Sequence, residues 1–294
     1  MRVLVLGGDG QVGRALSERA DKAEHQAIAF GRDAVDATDE TAIRAAIDTT
    51  DAQALVNAAA YTAVDKAESD ETAAHKLNAE APGLHARIAA EASIPYLHIS
   101  TDYVFAGNGT APYKESDPCA PQSVYGRTKR AGEIAAWQAG GRVAILRTSW
   151  VFAPWGNNFV RTMLRLAATK PELRVVDDQR GGPTSALDIA DAIYRILPKL
   201  ADPAQKDATG VFHFQGRPAV TWAAFADAIL DEGAKHGHKR PPIVRITTAE
   251  YPTPAARPAN SVLDCARYSR VFEVAPPDWR VGLADAVPAL LKLL

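Results

Sequence analysis

The sequence predicts an α/β fold: a doubly wound parallel sheet with a smaller C-terminal α/β lobe. Three observations predict it. Short apolar runs alternate with helical stretches through the first half of the chain. A glycine-rich turn follows the first of those runs directly. After Trp150 the regular alternation weakens. Strands separated by helical segments imply βαβ units with right-handed crossovers, and such a sheet binds its ligand beyond the carboxyl ends of its strands.

The elements follow in order. "RVLVL" (2–6) is a buried strand, and a helix opens near Gln11. "QAIAF" (26–30) is a second strand and "ALVNAAA" (54–60) a third, ending in small residues. A long Ala-rich helix fits 72–92, and "PYLHIS" (95–100) is the fourth strand. A helix starts near Val124, and "RVAILRTS" (142–149) is the fifth strand. Beyond it, "NNFVRTMLRLA" (157–167) and "WAAFADAILDEG" (222–233) read as helices, "LDIADAIYRIL" (187–197) as an amphipathic helix and "GVFHFQG" (210–216) as a strand. The proline-rich stretch 241–258 is ordered loop rather than linker, because Val, Ile and Tyr punctuate it. The first domain is expected over 1–150, joined by about 178–209. The second lobe takes about 151–177 and 210–294, while the helix at 187–197 returns to the sheet.

At 294 residues the chain can bury a sizeable core as one large domain or one and a half. A formal net charge of −2 gives no global basic field, so nucleic acid is not an expected partner. No run approaches the ~20 apolar residues that span a bilayer, and the apolar start is too short for a signal segment. Cys119 and Cys265 lie far apart and make no disulfide framework, so a reducing, cytoplasmic setting is expected.

"LVLGGDGQVG" follows the first strand and opens a helix. Gly8, Gly10 and Gly13 fit G-x-G-x-x-G, while Gly7, Gly10 and Gly13 fit G-x-x-G-x-x-G. Either pattern allows a tight turn and lets backbone amides approach a pyrophosphate at the helix N-terminus. No Gly-Lys-Ser/Thr follows, which excludes a P-loop. The second strand ends "AFGRD". The Arg32 guanidinium there suits a 2′-phosphate and points to NADPH, while Asp33 leaves NADH open.

The fourth strand ends "HISTDYVFAGNG", which puts Ser100 and Thr101 at the carboxyl edge of the sheet. Tyr125 and Lys129 follow, four positions apart and so on one helix face. A hydroxyl at a strand end, then Tyr and Lys one turn apart, fits hydride transfer between a carbonyl and an alcohol. The phenol would protonate the developing alkoxide, and an ammonium beside it would favour the phenolate. Tyr103 has no lysine four residues on, and is expected to pack with Phe105 or line the pocket. Asp102 reads as a loop-ordering or substrate-contacting carboxylate.

Together these residues resemble the extended short-chain dehydrogenases and, among them, the dTDP-4-dehydrorhamnose reductases. Further marks are "NAAAYTAVDKAES" (57–69), "RTSWVF" (147–152), "DQRGGPT" (178–184) and "YPTPAARPANSVLD" (251–264). The resemblance implies that Gly7, Gly10, Gln11, Val12 and Gly13 hold the pyrophosphate end of NADPH. It implies that Asp36 and Ala37 lie near the adenine, and Ala60, Tyr61 and Thr62 along the cofactor. Tyr125 would be the proton donor, Lys129 its partner and ribose contact, and Thr101 and Asp102 sugar contacts. Trp150 would line the sugar pocket or pack in the core; Arg257 and Asn260 would approach the nucleotide diphosphate of a nucleotide-sugar substrate. Some reductases of this type carry a magnesium ion held by glutamates at a dimer contact. Ala15 and Leu187 stand at those positions and cannot ligate a hard cation, so no metal is expected and a homodimer is left open. The basic run "KHGHKR" (235–240) reads as a solvated loop. Two other readings share the fold: a non-catalytic regulatory subunit of the methionine adenosyltransferase type, and a nucleotide-sugar epimerase or dehydratase. The intact Thr101, Tyr125 and Lys129 weigh against the first. Tyr103 in place of a second carboxylate after Asp102 weighs against a dehydratase.

Overall fold

The computed structural model describes residues 1–294. In chain order its elements are β1 (Arg2–Leu6), α1 (Gln11–Arg19), β2 (Gln26–Phe30), α2 (Glu40–Thr50), β3 (Ala54–Asn57), α3 (Val64–Ala67), α4 (Glu71–His75), α5 (Ala81–Glu91), β4 (Tyr96–Thr101), α6 (Val124–Gln138) and β5 (Val143–Thr148). Then come β6 (Val151–Phe152), α7 (Phe159–Thr169), β7 (Leu173–Val176), β8 (Arg180–Gly181), β9 (Thr184–Ser185), α8 (Ala186–Ala201), β10 (Gly210–His213), β11 (Val220–Thr221), α9 (Trp222–Lys235), β12 (Ile243–Ile246), α10 (Ala266–Phe272) and α11 (Trp279–Leu291).

Six strands form one sheet in the order β10-β5-β4-β3-β1-β2, every neighbouring pair parallel. Val3, Leu4, Val5 and Leu6 are sealed from water because helices cover both faces, which is why this strand is a continuous apolar run rather than an alternating one. The chain steps from β1 to β2 on one side and then to β3 on the other. That reversal opens a crevice between the carboxyl ends of β1 and β3.

Helix α8 lies against this sheet: Ile189, Ile193 and Leu197 share a core cluster with Val3, Val5 and Leu16. A second cluster forms where α7, α9 and α11 meet, built on Leu164, Phe225, Ile229, Leu283 and Val287. Parallel pairing of β12 with β7 extends that smaller unit.

The structure departs from the sequence reading at several places, among them β12, which lies in the proline-rich stretch read as loop. β10 is the sixth strand of the main sheet, parallel to β5, instead of belonging to the second lobe. Phe212 of β10 meets Phe272 of α10, so that helix also lies on the sheet. Helix α2 was not foreseen; Asp39 caps it by accepting from the Thr41 and Ala42 amides, and Ile43, Ala46 and Ile47 form its buried stripe. The long helix over 72–92 is interrupted by a π-helical turn, Lys76–Glu80. The outer edge of β10 is covered by side chains. Arg267 donates to the Val211 and Thr209 carbonyls at 2.9 and 3.0 Å, and the Glu115 carboxylate accepts the His213 amide at 3.1 Å.

Candidate active site

The glycine turn leaves β1 with Gly7 at φ +87°, a conformation that favours glycine. A Cβ on Gly7 would lie 2.6 Å from the Ala59 nitrogen, and one on Gly13 would lie 2.1 Å from the Gly7 carbonyl oxygen. The Gly7–Gly10–Gly13 pattern therefore carries both the left-handed turn and the closest backbone approach. Gly10 caps α1 without a side chain, so no side-chain acceptor occupies the first-turn amides. That is the cradle a pyrophosphate needs.

A crevice of about 420 Å³ opens beside this turn. Gly7, Gly10, Arg32, Ala60, Tyr61 and Thr62 are among its lining residues. Arg32 is exposed, its guanidinium outside every ion pair of the chain. Gln11 does not line the crevice; its side-chain oxygen accepts from Asn158 at 3.0 Å and its carbonyl from the Trp155 indole at 3.3 Å. Val12 packs against the main core. Asp36 and Ala37 also lie apart from the crevice. The Asp36 carboxylate accepts from the Thr38 amide and hydroxyl, which hold it below the usual carboxylate range. Ala37 is a core residue whose carbonyl accepts from His85 at 2.6 Å. A larger cavity, about 880 Å³, lies elsewhere, between α6 and α10 at the β10 edge.

Thr101 ends β4, and Ser123 caps α6 by accepting the Gly126 amide, which sets Tyr125 in the first turn of the helix. The Thr101 hydroxyl donates to Asp102 at 2.8 Å and accepts the Tyr103 amide at 3.2 Å. Burial pushes the Tyr125 phenol up to about 12, with the Thr101 hydroxyl acting in the opposite direction. Burial likewise pushes the Asp102 carboxyl up to about 6, and its second oxygen has no hydrogen-bond partner. The Tyr103 ring meets Tyr125 edge-on, 5.5 Å between centroids, whereas Phe105 stacks on Tyr113 instead of on Tyr103.

Lys129 is 2% exposed. Its amine donates to the Ile99 carbonyl at 2.7 Å and lies 3.2 Å from His98 Nε2, with no hydrogen bond to Tyr125. Burial brings it down to about 7. The expected ammonium at the phenol is thus drawn back against β4, because a buried amine takes the nearest carbonyl.

Beyond Thr101 and Asp102, each of the three other residues assigned to the substrate has a partner within the chain. Trp150, at φ +46°, stacks on Trp222 with 3.5 Å between centroids, in the second core cluster. Arg257 pairs with Asp65 at 2.7 Å, beside Tyr103 and Gln122. Asn260 spends its side chain on the Ala111 carbonyl and the Val262 amide, joining two loops.

Sequence reasoning passed over several groups that hold this site. Asn78, in the π-helical turn, accepts the Tyr61 amide at 2.8 Å and donates to the Tyr61 carbonyl at 3.1 Å, fixing the crevice wall. π-Turns recur at such sites, but no residue type signals them. Glu133 stands one turn beyond Lys129 and binds Arg147 and Ser100. The periodicity Tyr125, Lys129, Glu133 could have indicated it.

A doubly wound sheet, a glycine cradle at its switch point and a tyrosine beside a strand-end threonine define an NAD(P)-dependent oxidoreductase. The model of the RmlD substrate binding domain family matches residues 1–291, and the chain belongs to that family. It is 41% identical to a dTDP-4-dehydrorhamnose reductase of Sinorhizobium fredii, over 99% of this chain and 98% of the relative. A crystal structure of a dTDP-4-dehydrorhamnose reductase from Clostridium acetobutylicum superposes with a TM-score of 0.91 at 32% identity, covering 99% of this chain and 100% of that one. A dTDP-4-dehydrorhamnose reductase from Bacillus anthracis in complex with NADP gives a TM-score of 0.88 at 30% identity, covering 97% of each chain. No helix is long and apolar enough to cross a membrane.

Proposed function

We propose that the chain reduces the C4 ketone of dTDP-4-dehydro-L-rhamnose to give dTDP-L-rhamnose, the last step of dTDP-rhamnose synthesis, with NADPH as reductant. The observation that carries this reading is the shared edge of the sheet. The cradle after β1, the crevice wall after β3 and the Thr101–Asp102 end of β4 lie side by side, with Tyr125 over them. The likeness to reductases of that name over nearly the whole chain supports the substrate.

Gly7, Gly10 and the first-turn amides of Gln11 and Val12 would hold the pyrophosphate, and Arg32 the 2′-phosphate. The close backbone approach that only glycine permits at Gly7 and Gly13 fits that role. Bound NADPH supplies the hydride. Tyr125 stays protonated at neutral pH because burial raises its pKa, so it is ready to give its proton to O4 as charge develops there. In the free chain the Thr101 hydroxyl donates to Asp102; with substrate bound it would turn that hydrogen to the same oxygen. Lys129 reaches toward Tyr125 and the cofactor ribose once it leaves Ile99. The outer side of the pocket is assigned to Trp150, Arg257 and Asn260, with Arg257 exchanging Asp65 for the diphosphate. We place the protein in the cytoplasm, where the unpaired Cys119 and Cys265 would remain reduced.

Mixing the chain with NADPH and dTDP-4-dehydro-L-rhamnose should consume the absorbance of the reduced cofactor and yield dTDP-L-rhamnose. Absence of oxidation with competent substrate would overturn the assignment.

A further inference from the structure

Under the candidate site runs a chain of buried polar groups whose hydrogen positions are fixed from one end. The Ala59 amide donates to Asn57 Oδ1 at 3.0 Å. That contact sets the Asn57 side chain, since the reverse orientation would oppose two donors. Asn57 Nδ2 lies 3.2 Å from His98 Nδ1 and, as a donor, requires Nδ1 to accept. A neutral imidazole accepting at Nδ1 carries its hydrogen on Nε2. Nε2 is 3.2 Å from Lys129 Nζ. An ammonium cannot accept that hydrogen; a neutral amine can, while still donating to Ile99. Asn57 is 1% exposed, His98 0% and Lys129 2%, so no water can relieve a mismatched pair.

We propose that His98, oriented by Asn57, is a positioning residue that keeps Lys129 a neutral amine in the free chain, and that Lys129 takes a proton from solvent when the dinucleotide binds. The chain begins at Ala59, against which Gly7 packs and which lines the crevice, so a ligand there acts on its first link. The anionic diphosphate favours a nearby ammonium. Once the Nζ lone pair is protonated, Nζ–H and His98 Nε2–H oppose each other. The lysine head must then leave His98 and becomes free to approach Tyr125.

The other ionisable groups around Lys129 agree with this. From β4, His98 is held far below its ordinary pKa by burial, with Tyr96 stacked on it. From α5, His85 is brought down to about 4 by burial. On α6 itself, Tyr125 is neutral, and the Glu133 charge is committed to Arg147 and Arg130. Burial lowers the lysine, Glu133 opposes that shift, and the balance stands at about 7.

The inference rests on Lys129 as the partner of Tyr125 in the proposed reductase, but its test needs no turnover. Lysine ¹³Cε resonances would be titrated in the free protein, with the Lys129 signal assigned by Lys129→Met. Lys129 should titrate near neutrality. In His98→Gln, whose amide oxygen can accept from an ammonium, the titration should rise by at least about two pH units toward the ordinary ~10.4. Proton uptake on adding NADPH at about pH 8, read with an indicator in weak buffer, should be present in the parent protein and lost in His98→Gln. A structural role alone would lower stability and leave the titration in place. An ammonium at Lys129 in the free protein at about pH 8, or an unmoved titration in His98→Gln, overturns the proposal. If His98→Gln does not fold, the titration of the unmodified protein decides. A chain that titrates as described but reduces no sugar would overturn the proposed function and leave this inference standing.

Discussion

Arg147 and Glu133 are joined in the gap between β5 and α6. Arg147 Nε and Nη2 each donate to a different Glu133 oxygen at 2.7 Å, and both residues are 1% exposed. Ser100 donates to the same carboxylate at 2.6 Å, so one acid ties α6 to β4 and β5 next to Thr101. Such a pair contributes little relative to a well-packed apolar replacement, yet is costly to break from one side. Glu133→Ala should therefore lose about 3–5 kcal/mol in urea unfolding, because it leaves the Arg147 charge buried and unpaired. A loss below about 1 kcal/mol would mean that water reaches Arg147.

Tyr125→Phe removes the proposed proton donor and keeps the ring that Tyr103 meets edge-on. Turnover should fall by about 10²–10⁴-fold while the dissociation constant for NADPH changes little. Single-turnover kinetics together with fluorescence titration of NADPH separate the two effects. An unchanged chemical step would move the proton-donating role elsewhere.

Arg32→Ala addresses cofactor choice. A charge-assisted contact with the 2′-phosphate is worth about 1.5–3 kcal/mol, so KM for NADPH should rise by about 10–100-fold. KM for NADH should stay nearly constant, since NADH has no phosphate there. Equal changes for both cofactors would remove Arg32 from phosphate recognition.

Gly13→Ala would place a methyl group 2.1 Å from the Gly7 carbonyl oxygen. The turn must open to admit it. NADPH affinity should fall at least tenfold, with a measurable drop in melting temperature, and calorimetry reads both. An alanine tolerated without loss would show that the turn can relax outward.

His85 and His213 make folding sensitive to acid. Burial lowers them to about 4 and about 3. Their pKa values in the folded protein lie below the unfolded value of about 6.5, so the unfolded chain binds more protons on acidification. Stability is therefore complete above about pH 6.5 and falls as pH drops from there toward 4 and 3, by up to about 1.4 kcal/mol per pH unit for each histidine. His85→Gln should flatten part of that slope in denaturant unfolding between about pH 4 and 6.5. An unchanged slope would assign the acid sensitivity to the carboxylates.

The parallel strands were legible because burial on both faces makes them continuous apolar runs, and the glycine turn because its spacing is dictated by backbone contact. β10 read correctly as a strand, but alternation does not say which sheet a strand joins. The Tyr125–Lys129 spacing placed both residues on one face of α6. It could not say where a four-carbon side chain ends, and the Ile99 carbonyl decided that. Arg257 was read from its place in a proline-rich loop, and nothing local announced Asp65, 192 positions away. Asn57 and His98 read only as strand residues. Their meaning depends on the register that sets them side by side across β3 and β4.

The guanidinium and carboxylate lying along β10 have a consequence for the life of the chain in a crowded cell. An open parallel sheet ends in a row of carbonyls and amides that any extended peptide can match, and this is how folded proteins seed aggregates. Arg267 and Glu115 fill that row, and Arg267 also covers Phe212, 4.5 Å from the ring centroid. Losing either residue would leave a sticky margin on a protein whose active site is intact, a defect visible as turbidity before it is visible as lost turnover.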